Sequence, residues 1–220
     1  MKICFIVGAG EYSGRFVPES DTYIIAADAG YKSLEANEIK PDLIVGDFDS
    51  LGEIPKQKNV ITVPAEKNET DMSLAIKHGL EQGCNIFIID GGTGGRLDHT
   101  IANIQLLKEI KKNNAYGILL GKDICITAIT NESLSFAAGA TGIISVFTIG
   151  EAAKGVTLNG LKYPLNNYTM TDNNPIGVSN EFTGKPATVS VKTGTVLITW
   201  TETPVTVTFD KNVRITVNVS

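Results

Sequence analysis

The chain has 220 residues, 42% of them hydrophobic and 20% charged, with a formal net charge of −5. That composition suits a globular protein with a sizeable core. It excludes a nucleic-acid binder of the usual kind, which carries an excess of Lys and Arg on one face. The acidic excess lies in residues 1–130, which hold 13 Lys and Arg against 18 Asp and Glu, whereas residues 131–220 hold 6 of each. An acidic half of this kind fits a site that collects a divalent metal or a cationic substrate. Cys4, Cys84 and Cys125 are widely spaced and odd in number, so they read as buried thiols of a reducing cytosol. The opening MKICFIVGAG has one short apolar run followed by glycines, unlike a signal peptide. No run approaches the ~18–20 apolar residues of a membrane span. The expectation is a cytoplasmic chain with neither membrane nor nucleic-acid partners.

The first part alternates two periodicities. Apolar runs at 3–7, 23–27, 43–45, 60–63, 86–89 and 116–120 predict strands, and the stretches 29–37, 70–82 and 98–112 predict helices. Thr70 and Asp71 form a plausible helix start, and Gly83 a stop. Such alternation implies βαβ units and a mainly parallel sheet covered by helices. The pattern changes near residue 130. From 133 onward the chain is rich in Thr, Val and Ile, as in 142–149, 187–194, 195–202, 205–209 and 213–219, with Gly and Asn at the breaks. Short strands with turn signals suggest an antiparallel all-β sandwich or roll. The fold expected is therefore an α/β domain at 1–128 followed by an all-β sandwich or roll at 129–220. The boundary falls between 122 and 133.

Three acidic motifs carry the chemistry. In 42–50, DLIVGDFDS, an apolar strand runs into Asp47 and Asp49. Residues i and i+2 of an extended segment point the same way, and ligands of open α/β sheets bind beyond the carboxyl ends of strands. Two carboxylates placed so close favour a cation between them, for which Mg²⁺ bridging to phosphate is the usual answer. The same pair also fits a plain turn in which Asp47 caps and Asp49 is solvated. In 66–83, Thr70 and Asp71 open a helix whose N-terminus suits phosphate, with Lys67 nearby. Asp71 also suits a plain N-terminal cap, and Lys67 an ordinary exposed lysine.

The third motif, IIDGGTGGRLDHTIANI at 88–104, runs from strand through a glycine-rich loop into a helix. Gly91, Gly92, Gly94 and Gly95, with Thr93 among them, let the backbone approach an anion and turn N–H groups toward it. Arg96 follows and suits bidentate phosphate contact. Asp98 stands near the start of the helix. His99 reads as a supporting neighbour and not as a catalytic group. The loop is neither a P-loop nor a G-x-G-x-x-G fingerprint. GAGEYSG at 8–14 is a weak match to a dinucleotide fingerprint that follows the first strand, and Asp28 in ADAG at 27–30 ends the second. Asp28 fits a substrate contact or a cap for the next helix.

GDFDS (46–50), ETDMSLA (69–75) and GGTGGRLDH (91–99), in this order and spacing, resemble thiamine pyrophosphokinase. GLKYPL (160–165), GVSNEF (177–182) and TVLITW (195–200) are similar to that family's C-terminal motifs. The resemblance implies an ATP-binding α/β domain followed by a β-sandwich, used as a homodimer with the thiamine pocket at the subunit interface. It implies transfer of the terminal pyrophosphate of ATP to the hydroxyethyl group of thiamine, releasing AMP. By resemblance Asp47, Asp49, Asp71 and Asp98 hold Mg²⁺, and Asp71 or Asp98 accepts the hydroxyl proton. Asp28, Lys67, Thr70, Arg96 and the 91–95 backbone face ATP. Ser179, Asn180 and Trp200 line the vitamin pocket, although Trp200 on its apolar strand equally suits a sandwich core. Tyr163 stands where several relatives carry tryptophan. Three rival readings are a haloacid-dehalogenase-type phosphatase, a sister pyrophosphokinase acting on a pterin alcohol, and a nucleotide- or thiamine-binding sensor. Leu51 stands at the fifth position of the phosphatase motif, against that reading.

Overall fold

The computed structural model describes residues 1–47, 59–62, 69–201, 205–210 and 213–217. Asp49, Lys67 and position 63 of the expected fourth strand lie outside the described residues. The chain divides into two compact units, Met1–Lys122 and Asp123–Ser220.

The first unit alternates as its periodicity predicts. Its elements are β1 (Ile3–Val7), β2 (Tyr23–Ala27), α1 (Gly30–Ala36), β3 (Leu43–Gly46), β4 (Val60–Thr62), α2 (Asp71–Glu81), β5 (Ile86–Asp90), α3 (Leu97–Lys112) and β6 (Tyr116–Leu120). The strands lie in the order β6-β5-β1-β2-β3-β4, and every pair is parallel. β3, β5 and β6 are buried along their whole length, which explains why they read as unbroken apolar runs. In α2, Met72, Ala75, Ile76 and Gly79 are buried, a spacing of three, four and seven residues that turns one stripe inward. Gly83 ends that helix at φ +78°, donating its N–H to the Leu80 carbonyl while Cys84 donates to Gly79.

The strand order fixes where a ligand belongs. From β1 the chain moves outward through β2, β3 and β4, then returns to the other side of β1 for β5 and β6. The order therefore reverses between β1 and β5. A crevice opens at such a point because the loops leaving the two strands diverge.

Among its described residues the second unit has ten strands, β7 (Ile124–Thr130), β8 (Ser133–Phe136), β9 (Ile143–Thr148), β10 (Ala153–Asn159), β11 (Leu165–Met170), β12 (Asn180–Glu181), β13 (Ala187–Ser190), β14 (Thr195–Thr201), β15 (Val205–Phe209) and β16 (Val213–Val217). They pair antiparallel in two runs, β12-β9-β14-β7 and β11-β10-β13-β8-β15-β16. Val196, Ile198 and Trp200 alternate along β14 as its buried face. Trp200 is 1% exposed and meets Phe136 of β8 edge-on, with ring centroids 5.5 Å apart. Phe136 meets Phe182 at 5.0 Å. This aromatic cluster joins the two sheets of the unit. Trp200→Ala should lower stability by about 3–5 kcal/mol, the range for removing a large core aromatic. Urea unfolding measures this, and a midpoint equal to that of the parent chain would take Trp200 out of the core.

Candidate active site

At the carboxyl ends of β1 and β5 two glycine-rich segments run side by side. Gly8 donates its N–H to the Asp90 carbonyl at 2.8 Å, Gly10 to Gly91 at 2.7 Å and Glu11 to Thr93 at 2.9 Å. The pairing is too close for side chains between the backbones. A Cβ on Gly10 would stand 2.4 Å from the Thr93 carbonyl oxygen, and one on Gly91, at φ +64°, 2.4 Å from that of Gly8. Gly8 and Gly10 thus serve contact between two loops, which a fingerprint spacing does not describe. The Asn103 side chain, from α3, donates to the Gly92 carbonyl at 2.8 Å and steadies the same turn.

These segments line a cavity of about 420 Å³ together with Asp28, Thr70, Asp71, Met72, Arg96, His99 and Asn103. Of the residues expected at the site, Asp28, Thr70, Asp71, Gly91, Gly92, Gly94, Gly95 and Arg96 therefore meet around one space. Asp47 follows β3 and is half-buried. Thr93 uses its carbonyl to hold Glu11. Asp98 pairs with Arg96 through two contacts, Nη2 to Oδ2 at 2.6 Å and Nε to Oδ1 at 3.2 Å. Both side chains are exposed. Among the described residues no three His, Cys, Asp or Glu side chains stand close enough together to hold a metal ion.

The helix starts decide two alternatives. Thr70 is the N-cap of α2, its Oγ1 accepting from the Ser73 N–H at 3.1 Å, and Asp71 is the first helical residue. The plain-cap role considered for Asp71 therefore belongs to Thr70. Likewise α1 begins after Ala29, without a side-chain cap, so Asp28 is not the capping residue there. Asp28 instead adopts φ +49°, a left-handed conformation that is uncommon for a side-chain-bearing residue and recurs at functional sites.

The chain also carries groups that motif reading passed over. Asp90, at the end of β5, is fully buried. Burial pushes its carboxyl above the ordinary range, and hydrogen bonds from Ser13, Gly91 and Gly14 oppose that rise. A strand ending in Asp before two glycines is its only signal in the sequence. Asn103 leaves no motif at all, because its role depends on tertiary contact with Gly92.

The residues expected at a vitamin site lie in the second unit. Ser179 is exposed, at φ +58°. Asn180 is buried, and its amide donates to the Tyr163 carbonyl at 2.7 Å while its oxygen accepts from the Tyr163 N–H at 2.9 Å. Trp200 belongs to the aromatic cluster of the core.

The Arg96 guanidinium holds Asp98 below the usual carboxylate range, mainly through its hydrogen bonds. Arg96→Gln should let the Asp98 pKa rise toward the ordinary value of about 3.9. A carboxyl-carbon NMR titration reads this, and an unchanged pKa would mean that the pair does not form in solution.

Comparison with known proteins identifies relatives along both units. The family model described as thiamin pyrophosphokinase, catalytic domain, matches residues 17–119. That described as thiamin pyrophosphokinase, vitamin B1 binding domain, matches residues 133–196. A Bacillus subtilis relative named thiamine pyrophosphokinase is 33% identical over 194 residues, covering 82% of this chain and 87% of its own. The crystal structure of thiamine pyrophosphokinase from Bacillus subtilis superimposes with a TM-score of 0.80 at 29% identity, over 91% of this chain and 99% of that one. The enzyme from Geobacillus thermodenitrificans gives a TM-score of 0.76 at 25% identity, over 91% and 98% of the two chains. The Candida albicans enzyme shares the fold, with a TM-score of 0.72 at 15% identity over 91% and 90%. With matches in both units and a relative one-third identical over most of its length, this chain belongs to the thiamine pyrophosphokinase family.

Proposed function

We propose that this chain transfers the terminal pyrophosphate of ATP to the hydroxyethyl oxygen of thiamine, giving thiamine diphosphate and AMP. The observation that carries the reading is the glycine-lined cavity at the reversal of strand order, with Arg96 and Asp71 at its wall, in a member of this family. The thiamine oxygen attacks the β-phosphorus, and the bond from that phosphorus to the oxygen shared with the α-phosphorus breaks. Such a transfer needs in-line placement and neutralised charge more than covalent help from side chains.

The backbone at 92–95 and the N-terminus of α2 offer N–H groups to the phosphates, with Thr70 at that helix start and Gly91 shaping the turn beneath. Arg96 takes a phosphate oxygen once it releases Asp98. Asp28 and Lys67 complete the nucleotide side. Asp47, Asp49, Asp71 and Asp98 are hard oxygen donors, a set that fits Mg²⁺. The ion supplies charge neutralisation to the phosphates when bound. Asp71 stands on the cavity wall at the start of α2, and the hydroxyl proton passes to it.

We take the first unit as the α/β catalytic domain and the second as a β-sandwich that holds thiamine and mediates dimerisation. Ser179 is the expected vitamin ligand whose side chain is open to solvent. Asn180 acts by fixing the Tyr163 backbone, and Trp200 by supporting the sheet beneath. Ile143, Tyr163, Ile176 and Val178 are large, apolar and exposed on segments linked to β12, which supports a homodimer through this unit. The three buried cysteines, none of them in a disulfide, support a cytoplasmic setting. Among the described residues no helix is long and apolar enough to cross a membrane.

An assay of AMP release with Mg·ATP, with and without thiamine, tests the reading. Thiamine-dependent AMP with matching thiamine diphosphate is expected, and AMP release indifferent to thiamine would contradict it. Asp71→Asn should lower turnover at least about 100-fold, the lower range for a lost proton acceptor, with unchanged unfolding. Turnover within twofold of the parent would remove Asp71 from the site.

A further inference from the structure

Asp90 is buried at 0% exposure, yet its two oxygens accept four hydrogen bonds. Oδ1 takes the Ser13 N–H at 2.8 Å and the Gly91 N–H at 2.7 Å. Oδ2 takes the Ser13 hydroxyl at 2.8 Å and the Gly14 N–H at 3.1 Å. An ionised carboxylate is the side chain that accepts at both oxygens and donates at neither. Three of the donors are backbone groups that turn toward one point, and two of those belong to the segment after Gly10.

The same segment has a second tie. Arg15 is 4% exposed, and its guanidinium donates to the Gly121 carbonyl at 3.0 Å, just past the end of β6. Its own N–H donates to the Ser13 hydroxyl at 3.3 Å. The chain leaving β1 is therefore held across the ends of both β5 and β6. Its first residues, Gly8, Ala9 and Gly10, form part of the cavity wall.

We propose that Asp90 is a positioning residue for the nucleotide. Its buried carboxylate latches Ser13 and Gly14 to the glycine-rich turn and so fixes the Gly8–Gly10 wall against which the phosphates sit. The latch rests on the nucleotide reading of the cavity given above, but its geometry can be measured without ATP. Neutral substitution breaks it in a defined way. Asn at this position keeps one accepting oxygen and turns an N–H₂ donor toward another donor, the Gly14 N–H.

Two variants in the full-length chain test this. Asp90→Asn should raise the KM for ATP at least tenfold and leave the KM for thiamine within twofold. Ser13→Ala removes one donor to Asp90, leaving its charge solvated by three, together with the acceptor of the Arg15 N–H, and should raise the ATP KM about two- to fivefold in a folded chain. Amide hydrogen exchange at Ser13, Gly14 and Gly91, recorded without substrate, should speed at least tenfold in Asp90→Asn. If Asp90→Asn does not fold, the Ser13→Ala pair of KM values decides. ATP KM unchanged in Ser13→Ala, or both KM values rising together, overturns the proposal. Exchange unchanged in a folded Asp90→Asn also overturns it. A parent chain that never uses ATP sinks the functional reading instead, and hydrogen exchange then judges the latch by itself.

Discussion

Everything at the site depends on two backbones lying closer than side chains allow. The segment leaving β1 and the turn leaving β5 share three backbone hydrogen bonds, from Gly8, Gly10 and Glu11. Each loop fills the space where the other would carry a Cβ. Because β1 and β5 are parallel neighbours in register, with Val7 opposite Asp90, both loops start at the same height above the sheet. The strand reversal opens the crevice, and the glycines line it with peptide groups in place of side chains. This arrangement suits an extended polyanion better than an apolar ligand.

The charges around that cradle are arranged by environment. Asp90 lies beneath the turn, buried and saturated with donors, and holds structure. Asp98 lies at the surface with Arg96 as its partner. Two carboxylates eight residues apart in sequence thus differ in direction of pKa shift, one raised by burial and one lowered by a guanidinium. On the proposed reading, a phosphate reaching the cavity would compete with Asp98 for Arg96, and nucleotide binding and release of Asp98 would belong to one step.

The first unit is legible in the sequence because β3, β5 and β6 are buried along their whole length and α2 keeps one apolar stripe. β1, β2 and β6 begin and end where their apolar runs do. The second unit was harder to read. β11 is Asn-rich and largely exposed, and β10 carries Gly155 at φ +70° and two register shifts, so neither shows a clean alternation. β7 is apolar enough, but it falls inside the 122–133 span where the pattern changes. At the site, Asp28, Thr70, Asp71 and Arg96 followed from their places at strand ends and helix starts. Asp90 and Asn103 did not, since a buried acceptor and an amide reaching across to Gly92 are defined by partners distant in sequence.

The central claim is that the paired glycine loops receive the nucleotide phosphates. Backbone amide NMR of the labelled chain, titrated with Mg²⁺ and the α,β-methylene analogue of ATP, tests it most directly because the analogue cannot transfer its pyrophosphate. The largest shifts should fall on the amides of Gly8–Glu11 and Gly91–Arg96 and on the first turn of α2. Shifts confined to the second unit, or saturation that leaves those amides unmoved, would contradict the account.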